Sequence, residues 1–286
     1  MGVSAGTAEE RTRALVLRVV DYGESDRVVT LLTETLGKTA AFARGARRSR
    51  RRFAAGALEA GAEVDAALGR RPGRGMEPLL RAEVVRPAAG LARDLAALAR
   101  AHYALELLHA AVPEHQADPQ LYGLANAFVA RCASGASAAA ELPAFELALL
   151  RALGWSPAWT ECAECGRPWA GKSDVWFYAD RGGLLCPTHA PGDRRGAVRL
   201  RRDTAEAMAA AGRGGDDGAA APGAAEVRGV QEAGAAAVRD VQEAGAAAVR
   251  DVEEAAACAR ACLDLVWRSH LGRALKSVSL LRQLAP

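Results

Sequence analysis

Four residues constrain this chain more than any others: Cys162, Cys165, Cys186 and His189, spaced Cys-x2-Cys-x20-Cys-x2-His. Each short hook offers two soft or borderline donors one turn apart. Together the hooks supply the four ligands that tetrahedral Zn2+ takes in a structural site. Four protein ligands leave no open position for a water nucleophile, so the expected metal holds structure and performs no chemistry. Gly166 after the first hook and Gly182-Gly183 before Cys186 supply the chain reversals such hooks need. The alternative is three cysteines packed as small apolar residues beside a loop histidine.

A chain of 286 residues can bury two or three separate cores. No stretch approaches the ~20 uninterrupted apolar residues of a membrane span, so no membrane partner is expected. Met1 to Arg13 lacks the charged-then-apolar pattern of a secretion signal, which points to the cytoplasm. Cys132, Cys258 and Cys262 lie in Ala-rich helical sequence, where reduced thiols pack as small hydrophobes.

Net charge is only +3, but it is unevenly spread. Residues 11–86 carry 16 Lys and Arg against 9 Asp and Glu, whereas residues 87–286 carry 21 against 23. A positive excess confined to one unit indicates a polyanionic partner.

That unit reads as β structure. Arg13–Val20, Arg27–Thr33, Lys38–Arg44, Ala62–Leu68 and Pro78–Val85 are short runs bounded by turn residues. Five strands in so short a span predict a small closed barrel over 11–86, with the OB type the leading candidate and an SH3-like barrel fitting the same pattern. Helical periodicity follows over 87–154 and 200–286. Leu91, Leu95, Leu98, His102, Leu105 and His109 share one face of a first helix, Pro119–Cys132 forms a second, and Leu142–Leu153 a third. The metal module, 155–199, interrupts this helical domain, with Trp155, Trp159, Trp169, Trp176 and Phe177 expected as its apolar shell. Residues 209–225 read as a flexible Gly-, Ala- and Asp-rich loop. Across 227–254 an 11-residue period, opened by Val227, Val238 and Val249, reads as helical repeats. The predicted fold class is thus α+β multidomain: an N-terminal OB-type β-barrel, then an α-helical domain with an inserted zinc-binding module.

The strongest basic cluster is Arg44, Arg47, Arg48, Arg50, Arg51 and Arg52, leaving the third strand. Guanidinium forks there would grip phosphate oxygens without reading sequence. Arg70, Arg71 and Arg74, between the last two strands, are placed to border the same groove. A solvated surface is the alternative, but like charges in a block repel and call for a counter-charge. Tyr22, Phe42 and Phe53 are the local stacking candidates, so few that electrostatics should dominate. His-Glu-x-x-His and His-x-Glu before Pro-Cys-x-x-Cys are absent, and a turn cap accounts for Ser25 beside Asp26, so no enzyme is expected.

Taken in order, Asp21-Tyr-Gly-Glu-Ser-Asp-Arg-Val-Val-Thr-Leu-Leu-Thr33, Ala43-Arg-Gly-Ala-Arg-Arg48, Phe145-Glu-Leu-Ala-Leu-Leu-Arg-Ala-Leu-Gly154, Cys162-Ala-Glu-Cys-Gly166 and Ser269-His-Leu-Gly-Arg-Ala-Leu-Lys-Ser277 resemble the bacterial recombination mediator family RecO. The 11-residue repeats depart from that family, as does His189, where its zinc-bearing members commonly carry a fourth Cys. The resemblance implies a non-enzymatic DNA repair and recombination factor, cytoplasmic and nucleoid-associated. Such a factor binds single- and double-stranded DNA, anneals complementary strands, and with RecR helps RecA replace the single-strand binding protein SSB. It also implies a pocket for the acidic SSB tail on the helical part, which the resemblance does not locate here. The competing class is an RNA-binding structural or ribosome-associated protein built from the same barrel and zinc module; a hydrolase with an open metal site is a third reading.

Overall fold

The computed structural model describes residues 9–69, 76–136, 141–169, 175–213 and 246–284. Arg70, Arg71 and Arg74 lie outside the described residues, as do residues 214–245, which hold part of the expected loop and most of the repeats.

Five strands close a barrel in the order β1-β2-β3-β5-β4: β1 Glu9–Tyr22, β2 Asp26–Thr33, β3 Gly37–Ala43, β4 Glu63–Gly69 and β5 Glu77–Arg86. The long first strand serves two partners. Its residues Glu9–Leu15 pair with β4 and its residues Ala14–Tyr22 with β2, both antiparallel. A register shift between Val16 and Arg18 bends it from one neighbour toward the other, the usual work of a bulge in a small barrel. Alternating residues fill the interior: Leu15, Val29, Leu31, Ala41, Val64, Leu68 and Leu79 are buried. The narrowest seam is β3–β5, a parallel contact of only Ala41–Glu77 and Phe42–Pro78. The segment after β3 widens it, since Phe53 bridges Ala82 and the Ala82 N–H donates to the Arg52 carbonyl at 2.9 Å.

Helices α1 Leu95–Ala111 and α2 Pro119–Ser134 follow a 3-10 turn, Ala88–Arg93. The expected single stripe from Leu91 to His109 does not form one face. The Asp94 carboxylate accepts the Ala96 N–H and starts α1 afresh, which leaves Leu95 58 % exposed and His102 exposed. Leu91 and Leu105 of that stripe are buried, but they share the buried surface with Ala97, Ala101, Tyr103, Ala104, Leu107 and Leu108, where small alanines allow close packing. A polar seam ties α2 to the barrel: Arg86 donates to Asn126 Oδ1 at 2.7 Å and Tyr122 to Glu63 Oε1 at 3.2 Å.

The chain divides into two compact units. One comprises Met1–Ser137 with Leu275–Pro286, the other Ala138–Ala274. The barrel, α1, α2 and the C-terminal helix α6, Val278–Leu284, therefore fold together, whereas sequence character changes near residue 87. Glu106 of α1 fixes α6, accepting the N–H groups of Lys276 and Ser277 at 2.9 and 2.8 Å and the Ser277 hydroxyl at 2.6 Å.

The second unit contains α3 Glu141–Ala152, α4 Arg202–Arg213, α5 Ala246–Leu271 and a three-stranded sheet of β6 Val175–Tyr178, β7 Gly183–Leu184 and β8 Val198–Leu200, in the order β7-β6-β8. Glu146, fully buried on α3, is paired with Arg260 of α5. Residues 209–213, expected as the start of a loop, are instead the end of α4, which continues to Arg213 with Ala205, Met208 and Ala209 buried. Its Ala-rich sequence favours helix over loop. Trp155 is not part of a metal shell either. Its ring stacks on His270 at 4.5 Å and meets Trp267 edge-on at 6.3 Å, so it packs on α5. Among the described residues, no helix is long and apolar enough to cross a membrane.

Candidate nucleic-acid interface and metal centre

The turn Asp21–Asp26 and the segment Arg44–Arg52 meet at one rim of the barrel. The Arg47 N–H donates to the Ser25 carbonyl at 3.0 Å, and Asp26 Oδ1 accepts the Gly45 N–H at 2.7 Å. Within the segment, Arg48 and Ser49 N–H groups return to the Gly45 carbonyl, and the Arg52 guanidinium donates to the Arg44 carbonyl at 2.7 Å. These bonds compact the loop and leave all six arginines exposed.

Charge at this rim is unevenly satisfied. Asp21 is held by Arg27 at 2.9 Å, and Glu24 meets Arg48 at 3.5 Å. Asp26 is engaged by Gly45 and by the Ser25 hydroxyl. Among the described residues, Arg44, Arg47, Arg50 and Arg51 have no ion-pair partner. Six neighbouring cations thus share one exposed contact with an acid, and so repel one another until an external anion arrives. Of the stacking candidates, Phe53 is buried under Arg52, whereas Tyr22 is 60 % exposed and meets Phe42 edge-on at 5.6 Å.

The second predicted constellation also assembles. The donor atoms of Cys162, Cys165, Cys186 and His189 all lie within 4.8 Å of one another. Cys186 Sγ and Cys162 Sγ are 3.1 and 3.7 Å from His189 Nδ1, and the Cys165 and Cys186 sulfurs are 4.0 Å apart. Tetrahedral zinc with Zn–S of about 2.3 Å puts sulfurs about 3.8 Å apart, so the spacing suits that ion. Each hook is a backbone turn: Gly166 N–H donates to the Cys162 carbonyl at 2.8 Å, and His189 N–H to the Cys186 carbonyl at 2.9 Å. Gly166 takes φ +66°, a conformation that favours glycine. Gly183 is needed for a different reason, since a Cβ there would lie 2.4 Å from the Ala158 carbonyl oxygen, which accepts the Leu184 N–H of β7 at 2.9 Å.

Burial pushes the Cys162 thiol up, but backbone N–H groups of Cys186, Cys165 and Glu164 outweigh it and bring the thiol down to about 6. Thiolate at neutral pH is the form a metal binds. Hydrogen bonds with Cys186 and Cys162 raise the His189 imidazole. Tyr178 and Leu185 pack with Cys162 and Cys186, Trp176 adds to that cluster, and Trp159 stacks on Phe177 at 4.7 Å. Outside the ligands, Glu164 is gripped by Arg181 at 2.7 and 3.0 Å, and Arg194 lies over the Trp176 ring at 4.4 Å.

Two family models match the chain: Recombination protein O N terminal over residues 8–88, and Recombination protein O C terminal over residues 92–216. A DNA repair protein RecO of Myxococcus xanthus (strain DK1622) is 34 % identical over 273 residues, 95 % of this chain and 96 % of that protein. This chain belongs to the RecO family. The RecO protein of Anaeromyxobacter sp. (strain K) is 48 % identical over 178 residues, 62 % of this chain and 69 % of the relative. That of Pelobacter propionicus is 39 % identical over 177 residues, 62 % and 70 % respectively. Both constellations fall inside RecO-matched sequence, the arginine loop in the N-terminal match and the Cys/His cluster in the C-terminal one.

Sequence reasoning missed what organises the rim. The roles of Glu24 and Asp26 as partners of the loop come from tertiary contacts. The exposed apolar residue Val20 was legible in the alternation Arg18, Val20, Tyr22 along β1.

Proposed function

We propose that this RecO-family chain is a DNA repair and recombination mediator that binds DNA without sequence preference, anneals complementary strands, and with RecR helps load RecA onto SSB-coated single strands. The observation that carries the reading is the group of four guanidinium ions, Arg44, Arg47, Arg50 and Arg51, that have no acidic partner among the described residues while each carboxylate of the adjoining turn is engaged. Such a rim attracts phosphates, and Arg48, Arg52, Arg70, Arg71 and Arg74 extend it in this reading. The barrel is assigned to the OB type, residues 11–86, whose β2–β3 face and adjoining loops take oligonucleotides. The SSB tail, in this reading, is received by the helical part of the chain. The Cys/His cluster, within 155–199, is assigned to a structural zinc ion, supported by donor spacing and by the soft donor set. The protein's work is binding and bringing strands together, with no covalent step, beside the nucleoid. The names of its relatives support the repair role.

The deciding experiment is annealing of complementary strands already covered by SSB, with and without RecR. Faster annealing than with SSB alone is expected. A folded, metal-loaded protein that leaves the rate unchanged, or that prefers matched RNA strands, would overturn the reading.

A further inference from the structure

Cross-strand register lines up an apolar row on the outside of the barrel. Val20 stands opposite Val28, Val28 opposite Phe42, and Phe42 opposite Pro78, so one residue from each of β1, β2, β3 and β5 shares a face. Their chain neighbours Val29, Ala41 and Leu79 point into the core and are buried. Val20 is 43 % exposed, and Val28, Phe42 and Pro78 are half-buried. One pleat further along, the face is covered: Thr30 is buried and Arg18 meets His109 of α1 at 3.4 Å. At the open end stands Tyr22, held upright against Phe42 with the ring planes at 79°. Arg44 follows Phe42 by two residues, so the row ends where the arginine loop begins.

We propose that this row, with Tyr22 as its platform, receives the unpaired bases of a single DNA strand whose phosphates lie on the arginine loop. Tyr22 is thereby the residue that discriminates single strands from duplex. The inference rests on the phosphate-binding reading of that loop. A rigid aromatic ring beside a strip of Val, Phe and Pro offers bases a π-face and an apolar floor, and neither contact depends on base identity. Duplex bases are already stacked and cannot use it, so duplex is left with phosphate contacts alone. The carboxylates nearest the platform do not repel a strand strongly: Asp21 is paired with Arg27 and Asp26 is turned to the Gly45 N–H.

Fluorescence anisotropy with the full chain tests this on three probes: an oligo-dT strand, an abasic deoxyribose-phosphate strand of equal length, and a matched duplex. Tyr22→Ala is expected to weaken oligo-dT binding about tenfold, with its salt dependence unchanged because no charge is lost. Abasic strand and duplex should bind as before, and Tyr22→Phe should restore oligo-dT binding. Equal losses on all three probes, or none on oligo-dT in a folded variant, overturn the proposal. So does a Tyr22→Ala variant that alters only self-association in sedimentation, which would make the row a protein interface. Failure of the arginine reading looks different, as wild-type binding of abasic strand and duplex that does not respond to salt.

Discussion

Asp26 Oδ1 accepts the Gly45 N–H at 2.7 Å, joining the turn after β1 to the first bend of the arginine loop. One carboxylate thereby sets where six guanidinium groups begin their path. Asp26→Ala should cost about 1–2 kcal/mol in urea unfolding, whereas Asp26→Asn, which keeps an oxygen acceptor, should cost less. Equal stability of the Ala variant and wild type would argue that this bond is dispensable.

Replacing Arg47, Arg48, Arg50 and Arg51 together with Ala should weaken DNA binding and flatten its dependence on log salt. Each lost duplex phosphate contact lowers the slope by about 0.9. Titrations across a salt series check it. A folded variant with unchanged affinity and slope would remove these residues from the interface.

Metal analysis should find about one zinc per chain, as the four-donor cluster implies. Chelation should expose 155–199 to protease while residues 11–86 stay resistant. Cobalt substitution should give a tetrahedral spectrum unaffected by added anions. An exchangeable water ligand would contradict the closed site.

Gly183→Ala should cost more than about 3 kcal/mol and reduce zinc retention, because its Cβ would meet the Ala158 carbonyl oxygen at 2.4 Å and its φ is +145°. Measuring metal content after dialysis separates this outcome from a mild surface effect.

His270 supplies a pH signature. Burial against Trp155 lowers the imidazole below its ordinary 6.5, so the folded state prefers it neutral. As pH falls below about 6.5, the unfolded chain takes up the proton first and stability declines. The decline levels off once the folded imidazole is protonated too. An NMR titration should find the pKa below 6.5 in wild type and nearer that value in Trp155→Ala.

Where local chemistry dominates, the fold was readable from residues. The β-branched runs at Arg13–Val20 and Arg27–Thr33 sit inside β1 and β2, and the two hooks converge although twenty residues separate them. Strands and chelating turns are encoded within a few residues of themselves. The misses arose where distant partners decide. Leu95 belongs by periodicity to a buried face, yet Asp94 restarts the helix and turns it outward. Trp155 sits close to the hooks in sequence but finds α5 more than a hundred residues later. At the rim, clustering of the arginines was plain, whereas their pairing with Glu24 and the line Val20–Val28–Phe42–Pro78 exist only once register is fixed.

Because α6 belongs to the unit that begins the chain, the reading frame leaves that unit after Ser137 and returns at Leu275. Loss of the residues from Leu275 onward would therefore injure the unit that holds the barrel. Glu106 would lose the amides of Lys276 and Ser277 that it holds, leaving its carboxylate without them. Truncation at Leu275 should accordingly behave as a lesion of the barrel unit.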